Sequence, residues 1–207
     1  MTPTQIVKRA KQAMTEATSV RLRGEAVKDG DRYLIDLRFQ AGVGARGVVV
    51  KNGMDMEILR IRRTVYLRAS ADTWLELVKD EQAAEVVGRL ADKFVKISLT
   101  DRDLRDPLRF TDLKRLTAEI FKDMSPPSAV TKSDVHSVNG SWALGLTDSS
   151  GGVVEFAAVG PTYVLRGTTG PAADDEVTFD FLEWDVPVKL SRPPASQVVD
   201  PANLPPA

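Results

Sequence analysis

The chain has 207 residues, 43% apolar and 28% charged, with 28 basic against 29 acidic side chains and no cysteine. That length can bury a core without staples. The missing cysteines exclude disulfides, thiolate metal sites and cysteine nucleophiles, and a balanced charge without long runs of one sign gives no footprint for a nucleic-acid backbone. No stretch reaches the roughly 18 apolar residues of a membrane helix.

A first helix is predicted over residues 4–17, with Ile6, Ala10, Ala13, Met14 and Ala17 at helical spacing and Thr4 as its N-cap. The period then changes to two. Val20, Leu22 and Gly24 alternate with Arg21 and Arg23; after an Asp29-Gly30 turn, Tyr33, Ile35, Leu37 and Phe39 alternate with Leu34, Asp36 and Arg38. This is an antiparallel hairpin with one apolar face. Strands over 47–51, 54–60 and 64–68 follow, the first two joined by Asn52-Gly53. Helices are expected over 71–78 and 80–91, a short extended piece at Phe94, Val95 and Ile97, and a last helix over 104–121 that ends at Ser125-Pro126-Pro127-Ser128.

Strands return from residue 129. Asn139-Gly140 is a turn; Trp142, Leu144 and Leu146 share a face, as do Val154 and Phe156, Tyr163 and Leu165, and Phe179 and Phe181. The order is helix, about five strands, helices, about five strands. Short turns between successive strands imply an antiparallel sheet, hence an α+β fold. Residues 1–190 are expected to form one domain, and 191–207 an extended Pro-rich tail.

Chemistry is hard to find. His136, the single histidine, has no nucleophile or co-ligand at recognisable spacing, and no metal site is predicted. Gly42-Val43-Gly44-Ala45-Arg46-Gly47 has strand-like residues on both sides, which fits a hairpin and not a phosphate loop. Asp101, Asp103 and Asp106 lack the glycine and distal glutamate of a calcium loop, and Asp174, Asp175 and Glu176 read as surface charge. Arg60, Arg62, Arg63 and Arg68 form a basic run on a hairpin, either a solvated strand face or a contact for an anionic headgroup or glycan. No catalytic residue and no cofactor is assigned.

The apolar strand faces are the remaining candidates. Tyr33, Ile35, Leu37, Phe39, Met54, Met56, Ile58, Leu67, Trp142, Leu144, Leu146, Phe156, Leu165, Phe179 and Phe181 either pack under the helices or, on a sheet too curved to be filled, line a cavity.

Three phrases carry a resemblance: Val65-Tyr66-Leu67-Arg68-Ala69-Ser70-Ala71-Asp72-Thr73-Trp74, Leu90-Ala91-Asp92-Lys93-Phe94-Val95-Lys96, and Asp185-Val186-Pro187-Val188-Lys189-Leu190 followed by Pro193-Pro194 and Val198-Val199-Asp200. With the element order, they resemble the actinobacterial LppX/LprG/LprA/LprF lipoprotein family of the LolA/LolB-like superfamily. The family's glycine-lysine-tryptophan-valine step reads Asp92-Lys93-Phe94-Val95 here. The resemblance implies a strongly curved antiparallel half-barrel of about ten strands, helices across its concave face, and an apolar cavity that takes a lipid or glycolipid in some relatives. It implies an envelope lipoprotein body that binds or carries an apolar ligand; the alternative is a non-carrier interaction module with the cavity filled. It also implies export and anchoring to the outer face of the cell membrane through an acylated N-terminal cysteine, expected upstream of the sequence given. No nucleic-acid partner is implied, and no catalytic residues carry over.

Overall fold

The computed structural model describes residues 1–78, 84–97, 108, 110–123, 130–170 and 175–201. The elements in chain order are α1 (Pro3–Glu16), β1 (Ser19–Lys28), β2 (Asp31–Gln40), β3 (Gly44–Lys51), β4 (Met54–Ile61), β5 (Thr64–Arg68), α2 (Ala71–Val78), α3 (Ala84–Leu90), β6 (Phe94–Ile97), α4 (Leu113–Asp123), β7 (Thr131–Lys132), β8 (His136–Val138), β9 (Ser141–Thr147), β10 (Val153–Ala157), β11 (Val164–Thr168), β12 (Glu176–Leu182) and β13 (Val198–Val199). The strands form one sheet in the order β13-β6-β5-β4-β3-β2-β1-β12-β11-β10-β9-β7, with β8 also pairing β9. All pairings are antiparallel except β13 on β6. The α+β fold with a large curved open sheet is the one expected. The strand count exceeds about ten because residues 131–138 form two short strands and β13 joins the edge.

The turns follow their chemistry. Asp29-Gly30, Asn52-Gly53 and Asn139-Gly140 all have positive φ at both residues, as two-residue hairpins require. Curvature has a local cause at Gly24 and Gly47, which stand at inward-facing positions. A Cβ on Gly24 would lie 2.0 Å from the Thr178 carbonyl oxygen, and one on Gly47 2.0 Å from that of Asp36. Neighbouring backbones approach there because no side chain intervenes.

The core lies on one side of the sheet. Val20 and Leu22 of β1, the row Tyr33-Ile35-Leu37-Phe39 of β2, and Met56 and Ile58 of β4 pack in one cluster with Ile6, Val7, Ala10 and Met14 of α1, Trp74 of α2, Val87 and Leu90 of α3, and Leu116 and Phe121 of α4. The helices therefore cover the concave face. Phe110 inserts between sheet and cover, with its ring 5.5 Å from that of Tyr33 and 6.1 Å from that of Phe179.

Helix boundaries differ from expectation. The N-cap of α1 is Thr2, in a reciprocal capping box with Gln5 and with Pro3 at the first turn. Asp112 caps α4, accepting from the Arg115 N–H; Leu108 is helical but residues 110 and 111 form a turn, so the helix expected over 104–121 is interrupted before Leu113. The start of the helix expected at Asp80, the break at Ser125 to Ser128, and Asp101, Asp103, Asp106 and Asp174 lie outside the described residues.

The C-terminal segment is docked. The Ser19 hydroxyl donates to the Val186 carbonyl, and the Val188 N–H to Gln40 Oε1. Leu190 and Val198 cover a second apolar cluster on the convex face, formed by Leu59, Tyr66 and Phe94. Val198 then pairs with Phe94, and Lys96 Nζ meets Asp200 at 2.8 Å.

Candidate functional site

Of the fifteen apolar candidates, twelve are buried members of the concave-face cluster: Tyr33, Ile35, Leu37, Phe39, Met56, Ile58, Leu67, Leu144, Leu146, Phe156, Phe179 and Phe181. Met54 is half-buried at the strand start. Two placements need correction. Leu165 lies on the other face, in a small cluster with Val138 and Ala143. The cause is an irregularity in the β10–β11 ladder: Phe156 opposes Val164 and Glu155 opposes Arg166, which leaves Leu165 as the extra residue. Trp142 keeps the parity of Leu144 but is 63% exposed, beyond the reach of the helical cover.

Two charged residues take inward positions on β3 and β4, one at each end. Lys51 sits opposite Tyr33, held by Asp31 at 2.6 Å with its ammonium 5.7 Å from the Tyr33 ring. That carboxylate raises the Lys51 pKa and is itself lowered. Arg60 sits at the other end, in the row Phe39, Ala45, Arg60, Val65. Its Nη1 reaches the Thr111 carbonyl and hydroxyl oxygens at 3.3 Å and Asp112 at 3.7 Å, and its Nε donates to the Arg62 carbonyl at 3.2 Å.

Beside Arg60 an open pocket of about 230 Å³ lies between the β2–β3 turn and the start of α4. Phe39, Val43, Arg62, Thr111 and Leu113 are among its walls. The turn that rims it is tied to β4–β5 by a 2.7 Å hydrogen bond from the Arg62 N–H to the Val43 carbonyl. Phe39 is the one member of the fifteen apolar candidates in this wall, and the top of the apolar row that runs down β2 to Tyr33. Sequence reasoning treated Arg60 as part of a basic hairpin. The signal was present, since the two-residue period of Met54, Met56 and Ile58 places Arg60 on the same inward face.

The other basic residues of that run behave differently. Arg68 pairs with Glu57 on the convex face and lies 4.9 Å over the Phe94 ring; Arg62 and Arg63 are exposed at the turn. Elsewhere on the convex face Arg21 bridges Asp36 and Glu183, and Arg166 holds Asp180 at 2.7 Å. Asp175 pairs with Lys28. His136 places Nδ1 3.0 Å from the Asp134 carbonyl oxygen and Nε2 3.1 Å from Glu155. Both contacts favour the imidazolium, so its pKa is raised, first by the carbonyl and then by the carboxylate. Tyr163 donates to Asp185, which pushes the phenol up to about 12, and its ring stacks 4.5 Å from that of Trp184.

One buried donor stands out. Trp74 is 3% exposed and its indole N–H has no acceptor among the described residues. Among the described residues no group of three or more histidine or carboxylate side chains is placed to hold a metal ion, and no helix is long and apolar enough to cross a membrane.

No protein-family description and no curated protein sequence matches the chain. Solved structures do. The Mycobacterium tuberculosis lipoprotein LppX superposes with a TM-score of 0.53 at 12% identity, covering 91% of this chain and 98% of its own. LprF from Mycobacterium bovis superposes with a TM-score of 0.55 at 12% identity, covering 92% and 96%. Superposition over almost the full length therefore gives this chain the fold of mycobacterial LppX and LprF, the fold its sequence resemblance leads one to expect.

Proposed function

We propose that the chain is the extracytoplasmic body of an envelope lipoprotein that binds or carries a lipid or other apolar ligand between its curved sheet and helices. The observation that carries this reading is the pocket beside Phe39: it opens at the top of an apolar row, Phe39-Leu37-Ile35-Tyr33, roofed by separate helices and not by a second sheet. Two further points support it. Among the described residues the Trp74 N–H is a buried donor without an acceptor, a loss of about 1–3 kcal/mol that a ligand oxygen would offset. One structural neighbour, LppX, is itself named as a lipoprotein.

The described pocket is smaller than the roughly 300–1,000 Å³ of most ligand sites. It has room for a head group and a short stub; a full acyl chain must displace core side chains. Each buried CH₂ contributes about 0.8 kcal/mol, so eight would contribute on the order of 6 kcal/mol, against which the opening of the cover counts. The reading includes attachment to the membrane through a lipidated N-terminus and assigns no catalytic residue or cofactor.

The close packing of Met56, Ile58, Leu37 and Leu146, all 0% exposed, favours a second reading: an interaction module of the envelope that keeps the interior filled. A 16-carbon fluorescent acyl probe separates the two. Carriage predicts saturable uptake that Met56→Phe weakens at least tenfold, because the added ring volume occupies the acyl path. No uptake by the folded protein assigns it to the second reading.

A further inference from the structure

Arg60 is the feature that neither an apolar lining nor a filled core accounts for. Eleven inward positions of β1 to β4, from Val20 through Ile58, are buried apolar residues, yet a guanidinium takes the place beside Phe39 and Ala45. Its side chain is 22% exposed, so most of its length is covered while its charged end borders the pocket.

Its partners in the protein are weak for a charge in that position. The two Thr111 contacts are at 3.3 Å, and the nearest carboxylate among the described residues, Asp112, is at 3.7 Å. Charge-assisted bonds normally close to about 2.7–2.9 Å. Lys51, the inward cation at the other end, shows the contrast with its 2.6 Å pair to Asp31. A second cation, Arg62, stands in the same pocket wall. Among the described lining residues the two arginines and Asp112 leave one net positive charge at the entrance to an apolar row.

We infer that this pocket holds the anionic head of an amphiphile, a carboxylate or phosphate oxyanion on Arg60 with Arg62 beside it, while the attached chain extends past Phe39 toward Tyr33. This rests on the carrier reading and narrows it to ligands with an acidic head. Arg60 gives up its long contacts to Thr111 and Asp112 for a paired fork on the oxyanion, and the guanidinium geometry suits either acid. Asp112 is then a competitor for Arg60 as well as the cap of α4.

The test compares hexadecanoic acid with its methyl ester, and acetate and inorganic phosphate alone, by calorimetric titration of the wild type, Arg60→Met and Asp112→Asn, with folding of each variant checked by circular dichroism. The acid is expected to bind about ten- to a hundredfold more tightly than the ester, the range of a charge-assisted hydrogen bond. Arg60→Met abolishes the preference. Asp112→Asn keeps a capping oxygen for the Arg115 N–H, removes the competing charge, and tightens the acid but not the ester; this variant decides the matter if Arg60→Met does not fold. Equal binding of acid and ester by the wild type overturns the head-group assignment and leaves carriage standing. Binding of neither overturns both. Acetate or phosphate alone binding as tightly as the acid overturns the amphiphile assignment in favour of a free-anion site.

Discussion

Replacing Gly47 by alanine should destabilise the protein, against the usual sign of that change. At a compatible site Gly→Ala gains about 0.4–1 kcal/mol by restricting the unfolded chain. Gly47 is on the concave side of β3, between Leu37 and Ile58, with φ +153. A methyl there would lie 2.0 Å from the Asp36 carbonyl oxygen and 2.9 Å from the Leu37 Cα. Both atoms are backbone, so relief requires β2 to move against β3 in the middle of the bend. Strain and overpacking together cost about 2–4 kcal/mol, a fall in Tm of about 4–16 °C for a chain of this length. Gly88 in α3 is the control: a Cβ there meets nothing within 4 Å, and alanine should stabilise by up to about 1 kcal/mol. Thermal and urea unfolding of both variants provide the readout. A Gly47→Ala protein that melts at or above the wild type would refute the close backbone approach on which the curvature argument rests.

Other expectations follow from single contacts. His136 has a raised folded pKa, so its contribution is fully present below the unfolded value of about 6.5 and lost as pH rises through the folded one; the Tm gap between wild type and His136→Gln should be widest near pH 5 and close toward pH 8–9, and a pH-independent gap contradicts the pairing with Glu155. Acrylamide should quench Trp142 and spare Trp74, and Trp142→Phe should remove most of the quenchable emission while changing stability by under about 0.5 kcal/mol. Leu190→Ser with Val198→Ser uncovers Leu59, Tyr66 and Phe94; a loss of about 2–3 kcal/mol and new binding of a hydrophobic dye are expected, and a protein unchanged in both rules out the strap as a cover.

Much of the fold could be read from the chain because local signals agreed with one another. The alternation from Tyr33 to Phe39 survives intact as a buried row, and the three Asp-Gly and Asn-Gly turns fall where they were expected. What escaped has specific causes. Leu165 changed face because one extra residue in the β10–β11 ladder breaks a period-two count. Trp142 has the right parity, but no periodicity reveals where the helical cover ends. Leu190 and Val198 dock on Phe94, and Asp200 on Lys96, through contacts more than ninety residues distant; a Pro-rich composition hides such pairing. Thr2 caps α1 because Pro3 fits the first turn, a cue that outranks Thr4. Arg60 was legible by period and obscured by its basic neighbours.

The most direct test of the central claim is native mass spectrometry of the protein secreted from a lipid-rich actinobacterial host, with its organic extract analysed in parallel. The account predicts a bound amphiphile that leaves on denaturation and is absent from the Met56→Phe protein. A folded protein that emerges ligand-free from that host, and takes up no acyl probe afterwards, would contradict it.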